Sequence, residues 1–188
     1  MPETTLQIFK ETGAYLSGHF RLTSGLHSGE YLQSALVLQH PPLAEKLGKW
    51  LADRMPKGEV VASPALGGLI IGHEVARAMG ARFIFTERDA GGKMTLRRGF
   101  AVGPGERVVV VEDVVTTGGS TREVIDLLRA AGAEVTAAGS IIDRSGGAAD
   151  VGAPRVALAT LKPETWQAGD CPLCRQGIPV EKPGSRKA

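Results

Sequence analysis

A chain of 188 residues, 43% hydrophobic and 22% charged, has the make-up of an ordinary globular protein, long enough for one domain or one with a small subdomain. A formal net charge of +2 gives no support for nucleic-acid binding, and no run of about 18 apolar residues offers a membrane span. The N-terminus Met1-Pro-Glu-Thr-Thr-Leu6 lacks the basic and apolar regions of a signal peptide, and two cysteines do not suggest a disulfide framework, so the expected location is cytoplasmic.

In chain order, residues 5 to 17 carry Leu6, Phe9, Ala14 and Leu16 loosely on one helical face, with Thr4 or Thr5 as cap. The stretch from Gly18 to Leu32 alternates around glycines and predicts a short hairpin, Phe20–Leu22 against Glu30–Leu32. Pro41-Pro42 opens a helix to about Met55 that buries Leu43, Leu47, Trp50 and Leu51. From Glu59 a βα pattern begins: a strand ending at Ser63-Pro64, then Gly67-Gly68 opening a helix with Leu69, Ile70, Val75, Ala76 and Met79. Gly80-Ala81 closes that helix, and residues 82–87 form the next strand.

Residues 88–98 are hydrophilic, carry glycines and hold four cations, Arg88, Lys93, Arg97 and Arg98. They read either as a solvated β-hairpin or as a mobile flap that neutralises a polyanion. Phe100–Val102 is expected to pair back before the turn at residues 103–106.

The chain is organised around Val108–Ser120, Val-Val-Val-Val-Glu-Asp-Val-Val-Thr-Thr-Gly-Gly-Ser. An unbroken β-branched run suits a strand buried on both faces of a parallel sheet. Ligands of such sheets sit at the carboxyl ends of the strands. There Glu112 and Asp113 can accept hydrogen bonds from paired hydroxyls. Thr116, Thr117, Gly118, Gly119 and Ser120 offer backbone N–H groups and hydroxyls ahead of a helix with Val124, Leu127 and Leu128 at its spacing, an arrangement that suits a phosphate. A carboxylate pair at the end of a buried strand is costly without a use. No lysine follows the glycines as in a Walker loop, and no Gly-x-Gly-x-x-Gly precedes a helix. These residues point to a sugar phosphate.

Beyond the central helix, residues 134–143 form a strand that ends in Asp143-Arg144. Arg144 at that strand end reads either as half of a structural ion pair or as a bidentate clamp for a carboxylate. Residues 155–161 give a last strand, and the proline-rich remainder from Pro163 covers an edge. Cys171-Pro-Leu-Cys174 has metal-ligand spacing, but one pair is half a zinc site unless a second copy or a nearby histidine completes it. The basic stretch Lys182–Lys187 reads as a solvated terminus.

Val108–Ser120 resembles, over its whole length, the phosphoribosyl-pyrophosphate (PRPP) signature of type I phosphoribosyltransferases. Three further features resemble the orotate phosphoribosyltransferase family: the element Phe20–Tyr31, Asp143-Arg144 followed by glycine, and Glu87-Arg88 leading into a basic segment. The resemblance spans about residues 13–147. It implies an α/β, type I phosphoribosyltransferase fold, one domain over residues 1–188 with a parallel sheet flanked by helices. The core would be about 56–159, and a small hood would come from about 1–55 and 160–188.

It further implies transfer of a phosphoribosyl group from PRPP to orotate with Mg²⁺, in a homodimer whose flap reaches the neighbour's site. Arg88, Lys93 and Asp113 would be catalytic. PRPP would be held by Arg88, Lys93, Glu112, Asp113, Val114, Val115 and the loop Thr116–Ser120, and orotate by Thr116, Arg144 and Tyr31. The chain departs from the family pattern at Thr23 and Gly67, where lysines are frequent, and in a flap with one lysine and several arginines. Two alternatives remain open: a purine phosphoribosyltransferase, which gives Arg144 no task beside the base, and a non-enzymatic PRPP-sensing regulator, which predicts a basic nucleic-acid surface.

Overall fold

The computed structural model describes residues 3–22 and 24–183. The departure at Thr23, residues 184–187 of the basic stretch and the first two residues of the N-terminus lie outside the described residues. In chain order the first elements are α1 (Thr5–Glu11), β1 (Tyr15–Arg21), β2 (His27–Leu32), α2 (Ser34–Leu38) and α3 (Pro41–Ala52). There follow β3 (Val60–Pro64), α4 (Gly68–Met79), β4 (Arg82–Arg88), β5 (Met94–Leu96) and β6 (Arg107–Val115). The last are α5 (Gly119–Ala130), β7 (Glu134–Asp143), β8 (Arg155–Thr160), β9 (Thr165–Trp166) and the single turn α6 (Pro172–Arg175). The chain divides into two compact units, residues 1–37 with 162–188, and residues 38–161.

In the first unit, Thr4 caps α1 by accepting the Gln7 N–H at 3.2 Å. The helix ends earlier than its apolar spacing predicts. Gly13 takes φ +67°, a left-handed conformation that terminates helices and is cheap only for glycine. Leu16, expected on the helical face, therefore lies in β1. The predicted hairpin is present and longer: β1 pairs antiparallel with β2 from Tyr15↔Leu32 to Arg21↔His27, with an irregularity between Ser17 and Phe20. The proline-rich remainder covers the edge of this hairpin, β9 pairing with β2 at His27↔Trp166 and Ser28↔Thr165.

The second unit is a six-stranded sheet in the order β5-β4-β3-β6-β7-β8. All of its pairings are parallel except β4 with β5. Every residue of β3 is buried, and so are Val108 to Val111 of β6, as the unbroken valine run predicts for a sheet covered on both faces. Val124, Ile125 and Leu128 of α5 pack on these strands. The helix α3 was expected in a hood, yet it belongs to the sheet unit. Glycines set two of its contacts. A Cβ on Gly48 would come 2.5 Å from the Glu74 Cβ of α4, and one on Gly139 of β7 would strike Met55 and Leu51.

Residues 100–102 were expected to form a returning strand, but β5 returns instead. The reason is local. The Asp89 carboxylate accepts the Gly91 and Lys93 N–H groups, both at 2.9 Å, and closes a tight turn. The chain therefore reverses early, with Arg88↔Met94 and Thr86↔Leu96 in register. Arg98 at φ +58° and Gly99 at φ +76° then interrupt extended structure, leaving Phe100 and Val102 packed on the core from an irregular segment.

Candidate active site at the ends of β3 and β6

β3 leads through α4 to its neighbour β4, and its other neighbour β6 leads through α5 to β7, so the connections after β3 and β6 leave in opposite directions at their carboxyl ends. Such a reversal opens a crevice between adjacent strand ends, the expected ligand position in parallel sheets. Two helices begin there, α4 after β3 and α5 after β6, and neither has an acidic residue in its first turn. Each presents unpaired N–H groups and positive dipole potential to an anion.

The loop after β6 follows from its glycine. Gly118 caps α5 at φ +82°, its carbonyl accepts the Arg122 N–H at 2.8 Å, and a Cβ there would lie 2.8 Å from Val151. Thr116, Thr117 and Gly119 are exposed, Ser120 is half-buried, and Val115 and Gly118 are buried. Glu112, Asp113 and Val114 are half-buried within β6, which runs on to Val115, so the carboxylates precede the loop inside the strand's last turn of pleat. Thr121 donates to Glu112 at 3.3 Å, fixing this carboxylate from the α5 side. The loop after β3 meets Asp113: a Cβ on Gly67 would come 2.5 Å from the Asp113 Oδ1. A lysine at 67, frequent in the resembled family, would displace that carboxylate here.

Arg88 lies at the end of β4. Its guanidinium grips Glu123 of α5 at 2.8 and 3.1 Å and donates to Ser120 at 3.5 Å and to the Gly92 carbonyl at 2.6 Å. The Glu123 hydrogen bonds raise the Arg88 pKa above its usual value, against a smaller opposing effect of burial. Lys93 is exposed in the turn, and Arg98 forms a paired contact with Glu87 at 2.7 and 2.8 Å. Of the four cations in residues 88–98, Arg88 thus reaches Ser120 and Glu123 of α5, the latter a partner the sequence did not single out.

At the end of β7, Arg144 donates its backbone N–H to the Val115 carbonyl at 2.8 Å, so its backbone sits beside the end of β6. The preceding Asp143 organises the turn: its carboxylate accepts the Ser145 N–H at 2.8 Å, the Ser145 hydroxyl at 2.6 Å and the Gly147 N–H at 3.0 Å. Arg155 of β8 pairs with it at 2.8 Å. Burial works to raise the Asp143 pKa, but the Ser145 hydrogen bonds and the Arg155 guanidinium outweigh it and hold the carboxyl below its ordinary value. Tyr31 belongs to the other unit, where its ring lies 5.8 Å from that of Phe20. The sheet unit thus brings together residues 112–120, Arg88 and the Arg144 backbone. Glu123 and Thr121 were missed, because their acidic and hydroxyl side chains gain partners only when separate strands and helices converge; Asp143 was singled out beside Arg144, but not its pairing with Arg155.

Residues 35–173 match the model of the phosphoribosyl transferase domain. The chain is 57% identical over 182 residues to an orotate phosphoribosyltransferase of Pelotomaculum thermopropionicum, covering 96% of this chain and 95% of that protein. It is 52% identical over 182 residues to that of Thermotoga maritima, covering 96% and 97%. The crystal structure of orotate phosphoribosyltransferase from Aeropyrum pernix superposes with a TM-score of 0.70 at 28% identity, over 83% of this chain and 93% of that one. An adenine phosphoribosyltransferase from Thermoanaerobacter pseudethanolicus, at 18% identity and a TM-score of 0.61, shares the fold alone. With the strand order, the two helix N-termini and the carboxylate-bearing end of β6 in place, the chain belongs to the phosphoribosyltransferase family, and within it to the orotate phosphoribosyltransferases.

Proposed function

We propose that this protein transfers the 5-phosphoribosyl group of PRPP to N1 of orotate, giving orotidine 5′-phosphate and pyrophosphate. The observation that carries this reading is the carboxylate pair Glu112-Asp113 leading into the α5 N-terminus, in a chain 57% identical to an enzyme of that name. Glu112 and Asp113 bind the ribose hydroxyls, and Val114 and Val115 shape the approach to the loop. The N–H groups and hydroxyls of Thr116, Thr117, Gly118, Gly119 and Ser120 hold the 5′-phosphate. The N-terminus of α4 and the cations Arg88 and Lys93 receive the pyrophosphate. Arg144 clamps the orotate carboxylate, with Thr116 against the base.

The C1–O bond to pyrophosphate breaks as N1 of orotate bonds to C1, and the bonding pair leaves with pyrophosphate. Orotate N1 is acidic enough to need little general-base help. The barrier lies in the cationic character of C1, which the Asp113 carboxylate favours from the ribose side. Arg88 and Lys93 stabilise the charge that develops on the leaving group. To do so, Arg88 exchanges Glu123 for pyrophosphate. Glu112 and Asp113 are hard oxygen donors of the kind suited to Mg²⁺. They fit an ion that would be carried in with PRPP and held mainly through PRPP and water. When bound, Mg²⁺ neutralises pyrophosphate charge. The hairpin at 88–98 acts as a flap that excludes water, in a homodimer where it completes the neighbouring site.

The test is loss of orotate absorbance on adding PRPP and Mg²⁺, with adenine, hypoxanthine and uracil as controls. Turnover of orotate alone is expected. Turnover of another base without orotate would overturn the assignment.

A further inference from the structure

The four side chains His19, His27, Cys171 and Cys174 bring their nitrogen and sulfur ligand atoms within 4.8 Å of one another. All four belong to the first unit, whereas Arg88, Lys93 and Asp113, given catalytic tasks, belong to the second. We propose that they form a structural Zn²⁺ site, one ion per chain, that fastens the C-terminal segment to the β1–β2 hairpin.

The spacing is that of a tetrahedral site. Zn–N bonds near 2.0 Å and Zn–S bonds near 2.3 Å put neighbouring nitrogen and sulfur ligands roughly 3.5 Å apart. Cys171 Sγ lies 3.4 Å from His19 Nε2, Cys174 Sγ 3.6 Å from the same nitrogen, and Cys174 Sγ 3.3 Å from His27 Nδ1. The two ring nitrogens approach to 2.8 Å, and a metal between them would part them to roughly 3.3 Å. Two thiols and two imidazoles form a donor set that selects zinc over hard cations such as Mg²⁺ or Ca²⁺.

The ring orientation supports the same ion. His19 Nδ1 lies 2.7 Å from the Ile178 carbonyl, which can only accept, so Nδ1 carries the proton. The lone pair of the neutral ring is then on Nε2, the atom that faces both thiols. A backbone carbonyl on the far nitrogen is the usual way a metal-bound histidine is held. The irregularity in β1 between Ser17 and Phe20 falls at His19, and bulges re-aim a side chain in this way.

Packing gives an independent reason. Among residues 162–183, Cys171 is the one buried residue, fully enclosed, and it lies against His19 and His27, 3% and 6% exposed. The rest of the segment is exposed or half-buried, with a two-residue strand and a single helical turn. Such a segment has little apolar surface with which to hold itself down. Small units of this kind are ordinarily stapled by disulfides or a metal, and Cys171 and Cys174 are free thiols. The Cys171 carbonyl accepts the Arg175 N–H at 3.2 Å and the Cys174 carbonyl the Gly177 N–H at 3.0 Å, so both cysteines lie on one tight loop.

The test uses the untagged full-length protein, purified without chelator and passed through a desalting column. Elemental analysis should give one zinc per chain, and thiol reagent should react slowly until a chelator is added. Replacing zinc by cobalt should give the visible bands of a tetrahedral ion with thiolate charge transfer. Cys174→Ser, the exposed member and the mildest change, should lose most of the zinc and the charge-transfer intensity, while the folded protein keeps PRPP binding. His27→Asn should do the same. Folded, active protein that holds no zinc after incubation with the ion, or zinc retained in full by both variants, would overturn the proposal.

Discussion

Asp143 and Arg144 are neighbours with different tasks. The Asp143 side chain is 2% exposed and spends its oxygens on the turn it shapes and on Arg155. Removing one partner of a buried pair costs roughly 3 kcal/mol, so Asp143→Asn should lower the melting temperature. The pH dependence has a definite sign. A carboxyl held below its ordinary value of 3.8 contributes stability in full above that pH and loses it as pH falls through the lower folded-state value. The gap between wild type and Asp143→Asn should therefore be widest near neutrality and close below pH 3.8, as denaturant titrations at several pH values would measure. Arg144→Ala should raise the orotate KM far more than the PRPP KM, in steady-state assays varying each substrate. Equal effects would make Arg144 a structural cation. The Asp-Arg pair was legible in the sequence, whereas Ser145, Gly147 and Arg155 as its supports required the turn and strand to meet.

At the scale of elements, the strand–loop–helix unit of β6 and α5 was legible because its requirements are local. A buried parallel strand needs β-branched residues, and the αL residue at 118 needs glycine. Gly118→Ala places a Cβ 2.8 Å from Val151 and forces a non-glycine residue to φ +82°. It should cost about 1–2 kcal/mol for the backbone alone and raise the PRPP KM, with kinetics and thermal denaturation as the two readouts. The end of α1 and the early return of β5 were less legible. Each turns on one residue, Gly13 by its positive φ and Asp89 by two hydrogen bonds, and apolar periodicity does not register either. Residues 88–98, left between a solvated hairpin and a flap, are a hairpin in form, and Arg88 is held to Glu123. Lys93→Ala should lower kcat with modest change in KM; an unchanged kcat would remove Lys93 from the chemistry.

For the whole molecule, the proposed homodimer with flaps completing neighbouring sites makes a mixing experiment decisive. Lys93→Ala spoils the flap and Asp113→Ala spoils the strand-end site, so each homodimer should be weak. Mixed dimers would contain one site with both parts intact, and random exchange of subunits should restore about a quarter of wild-type activity. No recovery on mixing would place flap and site in the same chain.

The sequence by itself determined the α/β core, the glycine-bearing loop ahead of α5 and the reaction class, because valine runs, glycines at fixed turns and paired carboxylates impose their meaning within a dozen residues. What only the tertiary structure decided are the partnerships between separate elements. They include Arg88 with Glu123, Thr121 with Glu112, Asp143 with Arg155, and the four-ligand cluster that joins residues 19 and 27 to 171 and 174. The two cysteines alone were half a site, since spacing along the chain reports only ligands carried by one turn. Completing it depended on the hairpin register and on the C-terminal segment returning to β2. Both are fixed by backbone hydrogen bonds between distant strands rather than by any local pattern.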